Sequence, residues 1–294
     1  MRDDTCDICG GRGRLWTRRR DRELLRCPGC GFAWVPQGVL RTTRGESIYE
    51  DEAGELFETQ ADYYHDASAR EAAAAKLEWV LEFSRPGGRL LDVGANAGDF
   101  VGEARPHYDA AGIEPSPAAV RRASERGRKE VTKGSIYDTT PALEGTFNVI
   151  TMFDVIEHLP DPRRAVEQCR RYLESGGRLF VTTPDSGSAI ARAMGARWHY
   201  LDLDQHISIF SAANLSRLLA QNGFTVLSQR TFGRRYRCSY IERRLGELGH
   251  GNPLLRIVHA VALPLKLVPS RRVTLNLGDV VGLVAERDRM MSGT

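Results

Sequence analysis

The sequence predicts an α/β domain built on a parallel sheet with helices on both faces, preceded by a small cysteine-rich module. Strand-like apolar runs alternate with helix-like segments between residues 67 and 232. This alternation is typical of parallel sheets, because each strand needs a crossover to reach the next. Residues 6–31 instead contain two Cys-x-x-Cys-Gly sequences, a pattern typical of metal-binding ribbons.

The composition is that of an ordinary globular protein, with 294 residues, 41% hydrophobic and 27% charged residues, and a formal net charge of +3. This length suits one large domain with a small appendage. The small net charge disfavours nucleic acid as the main partner, because binding to its phosphates needs a strongly positive surface. We find no secretory signal pattern and no apolar run long enough to span a bilayer, so we expect a cytoplasmic protein.

The cysteine-rich module is assigned to residues 1–40. Each Cys-x-x-Cys-Gly sequence turns back so that two thiolates face one ion, and four thiolates complete the tetrahedral shell that structural zinc prefers. Disulfides are disfavoured because no secretion pattern accompanies the cysteines. We therefore predict a structural Zn²⁺ ion with four ligands, Cys6, Cys9, Cys27 and Cys30.

The domain core is assigned to residues 86–232 plus 273–288, after a linker and cofactor-covering helix in residues 41–85. The helix, residues 67–84, is rich in alanine and presents an apolar face of leucine and valine. Helices are also expected to begin near residues 98, 117, 163 and 212. Strands are expected at residues 89–93, 110–114, 147–153, 178–183, 224–229 and 279–287.

Residues 233–272 are assigned to a helical insertion. Its segment 253–272 is apolar with a basic end and is divided by Pro264. A lid or a dimer face packed on the domain fits this pattern, and so does contact with a membrane surface. The sequence leaves the oligomeric state open.

The loop after the first core strand is predicted to hold a cofactor, because ligands in such sheets bind beyond the carboxyl ends of the strands. Glu114 follows Gly94 by twenty residues, the separation at which a carboxylate accepts from ribose hydroxyls. Acidic residues beside the loop would repel a pyrophosphate, whereas they suit the positive centre and ammonium group of S-adenosylmethionine. The candidate cofactor residues of this loop are Asp92, Gly94, Asn96 and Gly98.

Four segments of this region read LLDVGANAG, GIEPSP, FNVITMFDVIEHLPDP and LESGGRLFVTTPD. Together they resemble the motifs of the class I S-adenosylmethionine-dependent methyltransferases, and the similarity extends over roughly residues 76–287. The resemblance implies the Rossmann-like methyltransferase fold, with a seven-stranded sheet whose last strand is antiparallel. It implies S-adenosylmethionine contacts by Asp92 and Gly94 at the methionine moiety, Glu114 at the ribose, Ser135 and Ile136 at the adenine, and Phe153 beside the methyl donor.

Two histidines near the same sheet edge are candidates for a general base, because histidine titrates near neutral pH. His158 lies on the loop after the fourth-strand motif, and His206 lies in the insertion ARWHYLDLDQHISIF. An acceptor hydroxyl must lose its proton as its bond to the methyl carbon forms. We therefore predict O-methylation with His158 or His206 as the base. A structural role for His158, holding its loop by hydrogen bonds, fits the sequence equally well.

The acceptor is predicted to be a small metabolite or a sugar intermediate of a biosynthetic pathway. One alternative is an RNA methyltransferase that uses the zinc module to recognise its substrate. The chain lacks an Asn-Pro-Pro-aromatic motif at the fourth strand, which would grip an exocyclic amine. A second alternative is a protein that binds S-adenosylmethionine without catalysis.

Overall fold

The computed structural model describes residues 4–20, 22–36, 66–238, 242, 267 and 272–289. The chain divides into two compact units, one of residues 1–230 with 279–294 and one of residues 231–278. The first unit contains a seven-stranded sheet and a four-stranded sheet, and the second contains a two-stranded sheet.

The helices and strands alternate through the first unit as predicted. The helices are α1 (Asp66–Phe83), α2 (Asp99–Ala104), α3 (Pro117–Glu125), α4 (Pro162–Tyr172), α5 (Ala189–Met194) and α6 (Ala212–Gln221). The first nine strands are β1 (Arg14–Arg19), β2 (Arg22–Arg26), β3 (Ala33–Trp34), β4 (Arg89–Val93), β5 (Asp109–Glu114), β6 (Val131–Lys133), β7 (Phe147–Phe153), β8 (Leu173–Pro184) and β9 (Ser208–Ile209). The remaining strands are β10 (Phe224–Thr231), β11 (Arg234–Arg237), β12 (Arg272–Leu275) and β13 (Val280–Arg287).

The large sheet has the strand order β10-β13-β8-β7-β4-β5-β6. Neighbouring strands from β8 to β6 run parallel, and β13 pairs with β8 in the antiparallel direction. Strands in the middle of this sheet are almost wholly apolar, since helices cover both of their faces; Leu90, Val149 and Phe180 are fully buried. The predicted seven-stranded, mostly parallel fold is confirmed.

Local sequence sets where the crossover helices begin. Ser116 caps α3 by accepting a hydrogen bond from the backbone N–H of Ala119, and Pro117 occupies the first turn, where no N–H partner is needed. Asp161 caps α4 in the same way, accepting from the backbone N–H of Arg164 ahead of Pro162. Helix α3 therefore starts three residues after the end of β5, whereas residues 154–161 form a longer connection between β7 and α4.

Two features of the large sheet differ from the sequence-based expectation. Strand β6 is not among the predicted strands, because its three residues, Val131–Lys133, include one apolar residue and show no alternation. Strand β8 begins at Leu173, five residues before the predicted Arg178, so Gly176 and Gly177 lie inside the strand. The register between β7 and β8 shifts at this point, between Phe147 and Val149, which indicates that the glycines accommodate an irregular strand.

The cysteine-rich module shares a sheet with the catalytic domain. Strands β1, β2 and β3 belong to the module, and β9, which comes from the insertion after β8, pairs with β3 to give the order β1-β2-β3-β9. The backbone N–H of Val35 also donates to the carbonyl of Ile207 at 2.9 Å, and the rings of Phe32 and Phe210 lie 5.0 Å apart. The insertion is thus anchored to the module along its backbone.

The second unit overlaps the predicted helical insertion, residues 233–272. Its described ends form strands, since β11 pairs with β12 in the antiparallel direction; residues 234–237 are therefore strand where an insertion of helices was expected. Most of the segment 253–272 lies outside the described residues, and its role as a lid, dimer face or membrane-surface element stays a prediction. Among the described residues, none of the helices is both long and apolar enough to cross a membrane.

Candidate active site

The topology brings three of the predicted strand ends to one edge of the sheet. Strand β4 lies between β5 and β7, and all three run parallel. In register, Asp92 lies beside Gly112 of β5 and beside Thr151 of β7. Asp92, Glu114 and Phe153 therefore stand at the carboxyl ends of adjacent strands, as predicted.

The loop after β4 is held in a tight turn by its own protein contacts. Gly94 and Gly98 have φ angles of 73° and 76°, and Asn96 has a φ of 50°, a left-handed conformation that glycine and asparagine adopt most readily. A Cβ atom on Gly94 would lie 2.5 Å from Cγ2 of Val155, and one on Gly98 would lie 2.9 Å from Cγ2 of Val131. Close packing within the protein thus already explains both glycines, independently of any bound cofactor.

Glu114 links the ends of β4 and β5. One carboxylate oxygen accepts a hydrogen bond from the backbone N–H of Asn96 and the other from that of Ser116, both at 2.9 Å. Burial raises the pKa of Glu114, and these two N–H groups oppose the rise. A carboxylate has about four acceptor positions, so these bonds orient Glu114 while leaving it able to accept further hydrogen bonds.

Asp92 is a buried acid with an unusual pKa. Its Oδ1 accepts a hydrogen bond from the hydroxyl of Thr151 at 2.6 Å, and Asp92 is only 4% exposed to solvent. Burial raises the pKa of Asp92 to about 7, a rise that Thr151 and the positive charge of Lys76 oppose. Asp92 therefore changes its charge near neutral pH.

Lys76 of α1 joins this group, although the sequence analysis did not select it. Its Nζ lies 3.3 Å from Oδ2 of Asp154 and 4.8 Å from the ring centroid of Phe153. The Phe153 ring also packs against Phe100 with centroids 4.9 Å apart. Phe153, the residue predicted to lie beside the methyl donor, thus lies under Lys76 of the helix predicted to cover the cofactor. Lys76 in turn pairs with Asp154, the residue that follows β7.

The two predicted adenine residues follow β6, on the far side of β5 from β4. The backbone N–H of Gly134 donates to the carbonyl of Glu114, which fixes this loop beside the predicted ribose site. The backbone N–H of Ser135 donates to Asp138 at 2.7 Å, and Ile136 is 2% exposed. Asp138 is a carboxylate on this loop that sequence reasoning missed.

Glu157, His158 and His206 form a cluster at the end of β7, which we call the Glu–His–His cluster. Each residue offers one potential ligand atom, and these atoms lie within 4.8 Å of one another. The two imidazole centroids are 4.9 Å apart. The backbone N–H of Ile207 donates to the carbonyl of Glu157 at 3.0 Å, which holds the insertion beside the loop after β7. The two predicted base candidates are thereby neighbours.

Hydrogen bonds determine how these side chains are oriented. Nδ1 of His158 lies 2.9 Å from the carbonyl oxygen of Gln205, and Nδ1 of His206 lies 2.6 Å from that of Tyr200. A carbonyl oxygen only accepts, so both Nδ1 atoms carry the proton and the neutral rings have their lone pair on Nε2. Glu157 is 2% exposed, and its Oε2 accepts from the Thr183 hydroxyl at 3.0 Å.

The insertion also contributes an aromatic group that is fastened to β13. Asp279, which is buried, lies 3.5 Å from Nε1 of Trp198 and 3.5 Å from Nε2 of His199. The His199 and Tyr200 rings are 4.3 Å apart. His199 is therefore directed towards Asp279 and is not a member of the Glu–His–His cluster.

The four cysteines predicted to bind zinc converge as the prediction requires. The Sγ atoms of Cys6 and Cys30 are 3.5 Å apart, those of Cys9 and Cys27 are 3.3 Å apart, and all four lie within 4.8 Å of one another. Zinc–sulfur bonds of about 2.3 Å in a tetrahedron place the sulfurs about 3.8 Å apart. Four convergent thiols that are buried or half-buried thus fit a closed Zn²⁺ shell in both chemistry and spacing.

Further polar contacts join the module to the α/β domain. Nε of Arg163, on α4, donates to the carbonyl of Asp7 at 3.2 Å. Arg19 donates to the carbonyl of Ala196 at 2.6 Å, and Nε of Arg22, which is 5% exposed, lies 3.1 Å from Oδ1 of Asp204. The module therefore contacts the insertion that contains His206 both at its start, Ala196, and near its middle, Asp204.

Two curated proteins are similar in sequence to part of this chain. A 37.1 kDa protein of transposon TN4556 from Streptomyces fradiae is 29% identical over 165 residues, covering 49% of this chain and 48% of that protein. A ubiquinone biosynthesis O-methyltransferase of Xanthomonas oryzae is 32% identical over 116 residues, covering 37% of this chain and 48% of that enzyme. The matches span about half the length of these curated relatives.

Solved structures show the same fold at lower identity. A methyltransferase from Thermotoga maritima, described as a possible histamine N-methyltransferase, has a TM-score of 0.52 at 20% identity and covers 80% of this chain and 100% of that one. A methyltransferase from Archaeoglobus fulgidus has a TM-score of 0.53 at 16% identity, with 80% and 100% coverage. The family described as "Methyltransferase domain" matches residues 64–229. With this match across more than half of its length, and with the strand order and cofactor-site geometry described above, the chain belongs to the S-adenosylmethionine-dependent methyltransferases.

Proposed function

We propose that this methyltransferase transfers the methyl group of S-adenosylmethionine to a hydroxyl group of a small metabolite or sugar intermediate. The observation that supports O-methylation is the pair His158 and His206, whose Nδ1 protons are donated to backbone carbonyls. With Nδ1 engaged in this way, Nε2 is the ring nitrogen that would take the acceptor proton, at the sheet edge where the methyl donor is proposed to bind. The relatives named as ubiquinone biosynthesis O-methyltransferases are consistent with this proposal.

The proposed cofactor position follows from the strand ends. Glu114 accepts from the ribose hydroxyls, Asp92 faces the positively charged methionine moiety, and Phe153 lies beside the sulfonium. Ser135 and Ile136 flank the adenine. Transfer is an in-line displacement, in which the acceptor oxygen attacks the methyl carbon and the sulfur leaves with the bonding electrons. The protein contributes mainly alignment and removal of the acceptor proton.

A matched acceptor panel tests the proposal. Each candidate, such as a phenol, a catechol or a sugar, is paired with the analogue that has an amine in place of the hydroxyl. Formation of S-adenosylhomocysteine is then measured. We expect turnover with at least one hydroxyl compound and slower turnover with its amine partner. Turnover of the amines alone would contradict O-methylation.

The RNA alternative uses the zinc module to recognise its substrate, and the arginines of the β1–β2 turn are a basic part of that module. In the structure these side chains contact the protein itself. Arg18 pairs with Glu23, Arg19 donates to the carbonyl of Ala196, and Arg20 pairs with Asp204. These contacts favour a structural role for the turn, so we retain the small-molecule acceptor.

We further propose that Cys6, Cys9, Cys27 and Cys30 bind one structural zinc ion. The convergence of their sulfur atoms supports this proposal. A closed shell of four thiolates has no position for substrate, so the ion acts on folding and takes no direct part in methyl transfer.

Replacing Glu114 with alanine is expected to weaken binding of S-adenosylmethionine by about 1.5–3 kcal/mol for each charged hydrogen bond lost. Isothermal titration calorimetry measures the effect, with Glu125→Ala on exposed α3 as the matched control. Because the substitution also removes acceptors from two backbone N–H groups, the thermal transition is compared with that of the wild type. Unchanged affinity in a folded variant would show that Glu114 does not hold the ribose.

Cofactor affinity is expected to rise as the pH increases towards 7. Burial raises the pKa of Asp92 to about 7 in the ligand-free protein, and a bound cation stabilises its ionised form. Binding below pH 7 therefore displaces a proton, and affinity increases by up to about tenfold per pH unit before levelling off. Calorimetry in two buffers of different ionisation enthalpy measures the proton release, which Asp92→Asn should abolish. Proton uptake, or release that persists in this variant, would contradict the assignment.

A further inference from the structure

We propose that the Glu–His–His cluster is a second metal site, which binds one divalent first-row transition metal ion in addition to the zinc expected at the cysteines. The potential ligand atoms of Glu157, His158 and His206 lie within 4.8 Å of one another. Bonds of about 2.0–2.2 Å require ligand atoms no more than about 4.4 Å apart. The upper bound of 4.8 Å is within a few tenths of an ångström of this limit, so the spacing fits a bound ion.

The ligand types fit a transition metal. Two imidazole nitrogens and one carboxylate oxygen are ligands that suit zinc, manganese, iron and cobalt, whereas calcium and magnesium prefer sites made wholly of oxygen. The cluster lacks thiolates, so the metal bound here need not be the one bound by the cysteine-rich module. Three protein ligands leave further coordination positions for an exogenous oxygen.

Hydrogen bonds around the cluster match those that support metal ligands. A metal-binding histidine characteristically donates its second ring N–H to a carbonyl or carboxylate, which turns the other nitrogen to the ion. His158 does this through the carbonyl of Gln205, and His206 does it through the carbonyl of Tyr200. Thr183 donates to Glu157 at 3.0 Å and so orients the carboxylate. All three proposed ligands are therefore fixed by a neighbour that is not itself a ligand.

The position of the cluster gives the ion a role, and this role rests on the proposed O-methylation. An acceptor hydroxyl bound to the ion becomes more acidic. Its proton passes to solvent, the oxygen attacks the methyl carbon, and the carbon–sulfur bond breaks to leave S-adenosylhomocysteine. In the metal-bound state the histidines use Nε2 as a ligand and do not accept the proton themselves, so they promote proton loss through the metal.

Manganese binding tests the site directly, because thiolates bind Mn²⁺ poorly and its electron paramagnetic resonance signal is lost on binding. Zinc content per chain is measured first by elemental analysis of the full-length protein. We expect one Mn²⁺ bound per chain where the protein is isolated with one zinc ion, or two zinc ions per chain where the cluster is already filled. His206→Ala and Glu157→Gln should each weaken Mn²⁺ binding at least about tenfold, or lower the zinc content by one.

His107→Ala is the control, since it removes a histidine at the opposite end of the sheet, next to the start of β5. It should leave the metal content and the Mn²⁺ affinity unchanged. The proposal is overturned if no second ion binds, or if folded His206→Ala and Glu157→Gln variants bind it as well as the wild type does. Metal binding that depends on these residues, without methylation of any hydroxyl acceptor, would instead retain the site and contradict the proposed function.

Discussion

Replacing His206 with alanine is expected to lower turnover by about 10²–10⁴-fold, the usual contribution of a positioned group that assists proton removal. The same substitution of His158 should have an effect of the same order, because the two rings are 4.9 Å apart and we propose that both act on one acceptor hydroxyl. Affinity for S-adenosylmethionine should stay near that of the wild type, since the predicted cofactor residues lie on β4, β5 and β7 and on the loop after β6. Turnover at saturating cofactor and calorimetric affinity are the two measurements.

His107→Ala is the control, and it should turn over at close to the wild-type rate. The outcome with the double variant is informative. If His158 and His206 act on one oxygen, the double substitution should lower turnover little more than either single substitution, because the effects of residues that act as a unit are not additive. Normal turnover in both single variants and the double variant would show that solvent or another group removes the proton, as is sufficient for an amine acceptor.

Loss of the cysteine site is expected to change the folded structure more than the histidine substitutions do. Replacing Cys9 and Cys27 with serine removes one ligand from each Cys-x-x-Cys sequence. Structural zinc contributes about 10–16 kcal/mol of apparent binding free energy in small zinc-dependent folds. The double variant should therefore lose its zinc and the β1–β2–β3 fold, whereas the seven-stranded sheet, which includes none of the module's strands, remains folded. Elemental analysis, together with tryptic cleavage at the arginines of β1, measures both effects.

Cys169→Ala is the matched control, because it removes a buried thiol from α4 that is not part of the cysteine site. It should retain one zinc ion per chain at the cysteines. Full zinc retention by the Cys9 and Cys27 double variant would show that the four thiols do not form a closed shell.

Much of the fold could be predicted because its signals are local. The strands β4, β5 and β7 are mainly apolar runs with a glycine or an acidic residue at or just after their ends, and Ser116 and Asp161 cap the helices α3 and α4. The cysteine spacing likewise predicted a cluster that the structure brings together. Strand β6 could not be predicted in the same way, because three residues at a sheet edge contain too little periodicity to distinguish them from a loop.

The assembly of the active site depends on contacts that no local pattern encodes. Lys76 is a single lysine in an alanine-rich helix, and its position over Phe153 arises from how α1 packs on the sheet. His158 and His206 were selected separately, by residue type and loop. Their proximity arises from the hydrogen bond between Ile207 and Glu157 and from the pairing of β9 with β3. Both are long-range backbone contacts.

The pairing of β3 with β9 has an evolutionary consequence. A module attached only by a linker can be lost or exchanged between genes as a unit, with little effect on the enzyme that carries it. Here the strand next to His206 completes its hydrogen bonding on the module, and deletion would leave β9 as an unpaired sheet edge. Inheritance of the two parts is therefore coupled: a lineage that lost the cysteines would need to acquire a new partner for β9 at the same time.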